Sequence, residues 1–340
     1  MNTVLVTGAG GYIGSTLIQL LIEAGYRVVG LDRYFFGKEL LGDILEAENF
    51  TSVVKDIRDI EPDDFAGVDA VCDLAALSND PSGDLDPALT FSINHVGRVH
   101  VANMAKTAGV RRYILASSCS VYGHGDDGQL DENSQPRPLT TYAKANLAAE
   151  QEILPLATPD FCVTVLRQAS VFGLSKRMRF DLVINLMTLN AVEKGRLFIT
   201  GGGRQWRPIV HVSDTSRAFI RVLEADSAKV NGEIFNVAAS NMQVLGIAYT
   251  VRETIPFPIE MQIVPDDPDK RNYNVSFDKI ARVLDYSARV TVADGVSEIY
   301  EALKLGRIAA EPWTYTTGWY KRLLEAKALL DRLMINGRLL

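Results

Sequence analysis

The sequence predicts an α/β fold: a doubly wound parallel sheet with a smaller C-terminal α/β lobe. Two observations carry this. The first half alternates short, near-continuously apolar runs with stretches of helical period, and strands of that kind are covered on both faces by helices. After about residue 170 the alternation gives way to helical stretches broken by short apolar runs. The division is therefore residues 1–170 for the sheet domain, with about 210–240 returning to it, and 171–340 mainly for the second lobe and C-terminal helices.

In order, Thr3-Val4-Leu5-Val6 is short, apolar and rich in β-branched residues, a strand composition. A glycine cluster follows, then Tyr12 to Ala24 with Ile13, Leu17, Leu20 and Leu21 at helical spacing. Further strands are expected at 27–31, 53–54, 70–74, 113–116 and 162–166. Helices are expected at 87–108 and 140–156. In the second lobe the pattern predicts helices over 180–193, 213–224, 245–253 and 277–284, strands near 197–199 and 209–211, and a helical tail over 313–340.

Composition excludes several classes. The 340 residues are 47% hydrophobic and 23% charged, an ordinary globular balance. No apolar run reaches the ~18 residues of a membrane span, and the opening residues lack a secretory leader's pattern. The formal charge of −7 does not favour nucleic acid, whose phosphates need clustered Lys and Arg. Cys72, Cys119 and Cys162 are few, odd in number and widely spaced. That is neither a disulfide framework nor a metal-ligand spacing, and it fits a reducing cytosol.

The first strand runs into Thr7-Gly8-Ala9-Gly10-Gly11-Tyr12-Ile13-Gly14 and a helix. Gly8 permits a tight turn, Gly11 lets the backbone approach a pyrophosphate, and Gly14 lets helix and strand pack closely. The phosphates of a dinucleotide would sit at the helix N-terminus, where free N–H groups and the dipole favour anions. This is the Rossmann-type arrangement. Asp32 ends the second strand, where a carboxylate accepts the ribose hydroxyls and repels a 2′-phosphate, favouring NAD over NADP. Arg33 beside it could hold that phosphate.

In order, these motifs resemble an extended short-chain dehydrogenase/reductase of the nucleotide-sugar epimerase/dehydratase family. TGAGGYIG (7–14) resembles TGxxGxxG. Asp56-Ile57, Leu74-Ala75-Ala76, Asn94, SSCSVYG (117–123), Tyr142 in YAKANLAAE, LRQASVFG (166–173) and WRPIVHVSD (206–214) fall in the family's order. The resemblance implies NAD in the N-terminal domain, a nucleoside-diphosphate sugar in the C-terminal lobe, and a homodimer through a helix pair including 140–157. It assigns the cofactor to Gly8, Gly11, Tyr12, Ile13, Gly14, Asp32, Arg33, Asp56, Ile57, Leu74, Ala75, Ala76, Ser117, Tyr142, Asn146, Ala169 and Val171. It assigns the substrate to Ser118, Ser170, Arg207 and Arg271; Ser78 and Asn79 follow the fourth strand close to the expected sugar, and Arg177 and Arg179 precede a helix as further anion contacts.

The same resemblance implies that Tyr142 is the proton-transfer residue and Ser118 its hydroxyl partner. One departure stands out: where the family has YxxxK, the lysine position is Asn146. A free phenol titrates near pH ~10, and the family lysine lowers that value. Asn146 can hydrogen-bond a ribose but supplies no charge, and Lys144 at i+2 points elsewhere. Three outcomes are open: slow or alkaline turnover, help from another group, or binding without turnover. Asp73 replaces the usual His before Leu74-Ala75-Ala76. Cys119 and Ser120 stand where dehydratases carry Asp-Glu and decarboxylases a Glu, so the sequence favours a 4-epimerase, with a dehydrogenase or ketoreductase as alternative. His211 reads as a core residue and Cys119 as a small buried side chain. No His or Cys arrangement points to a metal.

Overall fold

A computed structural model describes residues 2–264, 271–335 and 338. Seven parallel strands form the central sheet: β1 (Thr3–Thr7), β2 (Arg27–Asp32), β3 (Phe50–Val54), β4 (Ala70–Asp73), β5 (Arg112–Ser118), β6 (Cys162–Gln168) and β7 (Glu233–Val237). Their spatial order is β7-β6-β5-β4-β1-β2-β3. The order reverses between β1 and β4, and ligands of such sheets bind at that switch point, beyond the strands' C-terminal ends.

The apolar runs have a simple cause. In β1, Val4 and Val6 enter the core on one face of the sheet while Leu5 enters the core on the other, so both faces need apolar side chains. The principal helices are α1 (Tyr12–Glu23), α2 (Arg98–Thr107), α3 (Thr141–Ile153), α4 (Val183–Lys194), α5 (Val212–Glu224), α6 (Val244–Thr254), α7 (Val292–Lys304) and α8 (Thr316–Leu333). Leu17, Ile18 and Leu21 of α1 pack with Ala218, Phe219 and Val222 of α5 on the first face. Val101, Ala102 and Ala105 of α2 join Ala149 and Ile153 of α3 on the second. Each fully buried aliphatic side chain contributes about 1.5–3 kcal/mol.

The second lobe has its own core, in which Phe172, Ile184, Leu197, Ile209, Ile247 and Val296 meet. It contains a three-stranded sheet ordered Ser240–Gln243, Trp206–His211, Ser170–Phe172, and a parallel pair of Arg196–Thr200 with Glu260–Val264. Tyr12 ties the lobes together: its hydroxyl donates to the Gly173 carbonyl at 2.6 Å and accepts from Asn185 Nδ2 at 3.1 Å.

The single helix expected over 87–108 is divided. Pro87–Phe91 is α-helical, Ser92–Gly97 is π-helical, and α2 follows. The wider turn buries Asn94, whose amide accepts from the Leu77 nitrogen at 2.8 Å and donates to the Leu77 carbonyl at 3.0 Å. That pins the loop after β4, and π-turns inside helices often mark such functional places.

Candidate active site

At the C-terminal ends of β1, β4 and β5 the two lobes enclose a cleft of about 740 Å³. Its first wall is the glycine turn. Gly8 has φ +68° and sits so close to β4 that a Cβ would lie 2.9 Å from the Ala75 nitrogen. A Cβ on Gly14 would lie 2.1 Å from the Gly8 carbonyl oxygen. No side chain caps α1 at Gly11, and its first turn has no acidic residue, leaving an N-terminus suited to an anion. These residues fit a dinucleotide: the cradle is one that a Cβ would fill.

Asp32 stands at the far side of the turn. Its carboxylate accepts from the Gly10 nitrogen at 3.0 Å and the Tyr34 nitrogen at 2.7 Å, which fixes its orientation, while burial raises its pKa. Arg33 donates to Asp56 at 3.1 Å and lies 4.6 Å from the centre of the Phe35 ring. Arg58 also grips Asp56, at 2.9 and 2.7 Å, and holds its carboxyl down to about 2.

Ser118 ends β5 and Tyr142 lies in the first turn of α3, which Thr140 caps by accepting from the Ala143 nitrogen at 3.1 Å. Thr140 also donates to Asp80 at 2.5 Å, so the cap joins α3 to the loop after β4. Gly83 lets that loop approach: a Cβ there would meet Tyr142 Cβ at 2.8 Å. Burial pushes the Tyr142 phenol above its ordinary range and nearby Asp80 adds to this, while Arg98, the Ser118 hydroxyl and Arg179 act the other way. Ser120 lines the cleft, and its buried hydroxyl has no partner among the described residues.

Every site residue assigned from the sequence lines this one cleft, except Asn146. That side chain is 1% exposed and turned away. Its amide donates to the Tyr142 carbonyl at 2.9 Å and accepts from Arg98 Nη1 at 2.9 Å. Its hydrogen-bonding groups are therefore engaged behind the tyrosine, and the ribose contact assigned to it does not follow from where it sits. His211 and Cys119 do not line the cleft; His211 Nε2 meets Glu298 at 2.6 Å, and the Cys119 thiol donates to the Arg167 carbonyl at 3.3 Å.

The other end of the cleft is cationic. Arg179 donates to Asp181 at 2.9 Å and to Ser78 at 3.2 Å. Arg271 pairs with Asp80, and Arg207 donates to the Arg271 carbonyl at 2.5 Å. Arg177 is buried with its guanidinium 3.6 Å from the centre of the Phe36 ring, and burial lowers its pKa to about 10. Sequence reasoning missed the carboxylates Asp80 and Asp181 that orient these arginines. It also missed Tyr320 of α8, which reaches the cleft by packing on Phe36 at 5.6 Å between ring centres. The tail's pattern held no sign of that contact. Asp80 was legible only as the neighbour of Ser78-Asn79.

Known proteins resemble this chain in sequence and fold. The chain is 29% identical over 315 residues to a UDP-glucose 4-epimerase of Mycolicibacterium smegmatis, covering 87% of this chain and 97% of that protein. It is 28% identical over 325 residues to a dTDP-glucose 4,6-dehydratase of Streptomyces niveus, covering 91% and 95%. Among solved structures, DesIV, a dTDP-glucose 4,6-dehydratase from Streptomyces venezuelae with NAD and TYD bound, superposes with a TM-score of 0.82 at 25% identity, covering 92% and 99%. MoeE5 in complex with UDP-glucuronic acid and NAD gives 0.78 at 27%, covering 90% and 100%. The profile of one family spans residues 4–238, from β1 to just past β7. With the glycine cradle, the oriented Asp32 and the seven-stranded sheet, that match makes this chain a member of the NAD dependent epimerase/dehydratase family.

Proposed function

We propose that the protein is a nucleotide-sugar epimerase acting at one sugar carbinol, carbon 4, by transient oxidation. Bound NAD supplies the hydride acceptor for that chemistry. The turn Gly8–Gly14 would hold the pyrophosphate, Asp32 the adenosine ribose, and the Arg179, Arg207 and Arg271 group the substrate's diphosphate. Guanidinium forks match phosphate oxygens. Tyr142 would take the carbinol proton at its phenolate oxygen and later return it, with Ser118 fixing the reacting oxygen.

The observation that carries this reading is the environment of Tyr142. Ser118 is beside it, and its carboxylate neighbour Asp80 is engaged by Arg271 and Thr140. Cys119 and Ser120 supply no acid or base for water loss. What remains is proton transfer at one hydroxyl. The raised phenol favours slow turnover at neutral pH and faster turnover toward alkaline pH, as the tyrosinate fraction grows.

The test uses UDP- and dTDP-linked hexoses and UDP-glucuronic acid, followed by proton NMR and by absorbance at ~340 nm. The expected result is a pair of carbon-4 epimers with no lasting NADH. Tyr142→Phe should lower the rate by at least ~100-fold. Lasting NADH would mean a dehydrogenase; a 4-keto-6-deoxy product would mean a dehydratase. Binding without conversion would defeat the catalytic reading altogether.

A further inference from the structure

A fully buried arginine stands directly behind Asn146. Arg98, from the start of α2, is enclosed by α3 and the ends of β4 and β5. Its Nε donates to Asp73 at 3.2 Å, Nη1 to Asn146 at 2.9 Å, and Nη2 to the carbonyls of Asp73 at 3.0 Å and Ala116 at 2.6 Å. The Asp73 carboxylate is itself held by the Thr7 and Tyr113 hydroxyls, both at 2.5 Å. Burying a guanidinium costs several kcal/mol unless its donors are met, and four of its five N–H groups are met here. None of these residues except Asn146 carried an assigned role.

Two departures in sequence meet at this point. Asp73 and Asn146 both differ from the family pattern, and both are ligands of Arg98. We infer that Arg98 is a relocated cation: it delivers from α2 the positive charge that a lysine at position 146 would have delivered from α3, and Asp73 and Asn146 hold it against the back of Tyr142. This rests on the reading of Tyr142 as the proton-transfer residue. Arg98 does not touch the cleft, so it is a positioning residue that acts on the phenol through its field and through Asn146. A guanidinium is the suitable group, since it stays charged when buried.

Other charges stand around Tyr142, and the Asp73 carboxylate, 3.2 Å from Arg98 Nε, offsets part of that guanidinium's field. Asp80 opposes ionisation from the loop after β4, with Arg271 paired to it. Arg179 favours ionisation from the segment before α4, as does the Ser118 hydroxyl from β5. On α3 itself, Lys144 is exposed, and Glu150 is neutralised by Arg167 at 2.6 Å. Asp84, beyond Asp80, accepts from the Thr141 nitrogen at 3.2 Å. Arg98 meets α3 at Asn146, one turn after the tyrosine.

The test reads the Tyr142 titration directly, by carbon-13 NMR of ring-labelled tyrosine on the full chain without substrate, with Tyr142→Phe assigning the signal. Arg98→Met combined with Asp73→Asn removes both charges, so no buried carboxylate is left unpaired. The tyrosinate fraction at a fixed alkaline pH should fall about tenfold, one pKa unit. Adding Asn146→Lys to that pair should restore most of it. Asp73→Asn alone, near-isosteric, removes a buried carboxylate and is the reference for the pair: adding Arg98→Met, or Arg98→Gln should that variant not fold, should lower the fraction at least tenfold from it. A purely structural Arg98 would leave the fraction of either double variant equal to that of Asp73→Asn alone, and that result overturns the relocation. The turnover assay separates the two claims: these titration shifts without conversion of any nucleotide sugar would uphold the relocation and defeat the epimerase.

Discussion

Restoring the family lysine should harm this protein. In Asn146→Lys the new ammonium would lie close to Arg98, whose Nη1 is 2.9 Å from the present amide oxygen. At ~4 Å and an effective dielectric of ~20, two like charges repel by about 4 kcal/mol. Arg98 would also lose an acceptor, at about 1–3 kcal/mol for a buried donor left unmet. Deprotonation of the lysine limits the loss, because its ordinary pKa of ~10.4 would be driven down. The net expectation is roughly 3–5 kcal/mol less stability at neutral pH. The sign with pH follows: the folded lysine holds its proton less tightly than the unfolded one, so stability rises with pH. The deficit is full below the depressed folded value and gone above ~10.4. Urea unfolding of wild type and variant between pH ~6 and ~10 measures it. A variant as stable as wild type at pH ~7, or a deficit that does not shrink with pH, would mean that the lysine and Arg98 do not repel.

Three further outcomes follow from the geometry. Gly14→Ala would force helix and turn apart, since its Cβ would sit 2.1 Å from the Gly8 oxygen; overpacking of this kind costs ~1–3 kcal/mol, and NAD affinity by calorimetry should fall tenfold or more. Asp80→Asn removes a charge that opposes ionisation of Tyr142, so the alkaline limb of the pH–rate profile should move to lower pH; a move to higher pH would contradict the assignment. Arg58→Met should raise the Asp56 pKa from about 2 toward the ordinary ~3.9, seen by carboxyl NMR. Because the folded value is the depressed one, the stability that Asp56 contributes is present above ~4 and is lost as pH falls through about 2.

How much of this was legible depended on whether a residue acts through its neighbours in sequence or in space. The central strands were readable because burial on both faces imposes apolar runs, as Val4, Leu5 and Val6 show. The glycine cradle was readable because its geometry is local. Strands outside the central sheet were harder. His124–Leu130 reads HGDDGQL, with two glycines and no apolar alternation, yet it pairs with Asn272–Val275; tertiary context overrides propensity there. The missing lysine was visible from one motif. Its counterpart was not, because Arg98 meets Asn146 across 48 positions, and an arginine in an amphipathic helix ordinarily reads as solvated. Asp73 was visible as a departure, but its reason appears only when the Arg98 guanidinium is seen against it.

The most direct test of the account follows one hydrogen. UDP-glucose deuterated at carbon 4, with the UDP-glucuronic acid and dTDP-glucose counterparts alongside, is incubated with the protein and its NAD, and the products are read by NMR and mass spectrometry. The expected outcome is the carbon-4 epimer of at least one of them, with deuterium kept at that carbon, no lasting NADH, and a rate that climbs toward alkaline pH. Loss of the label to solvent, or no epimer from any of the three, would contradict it.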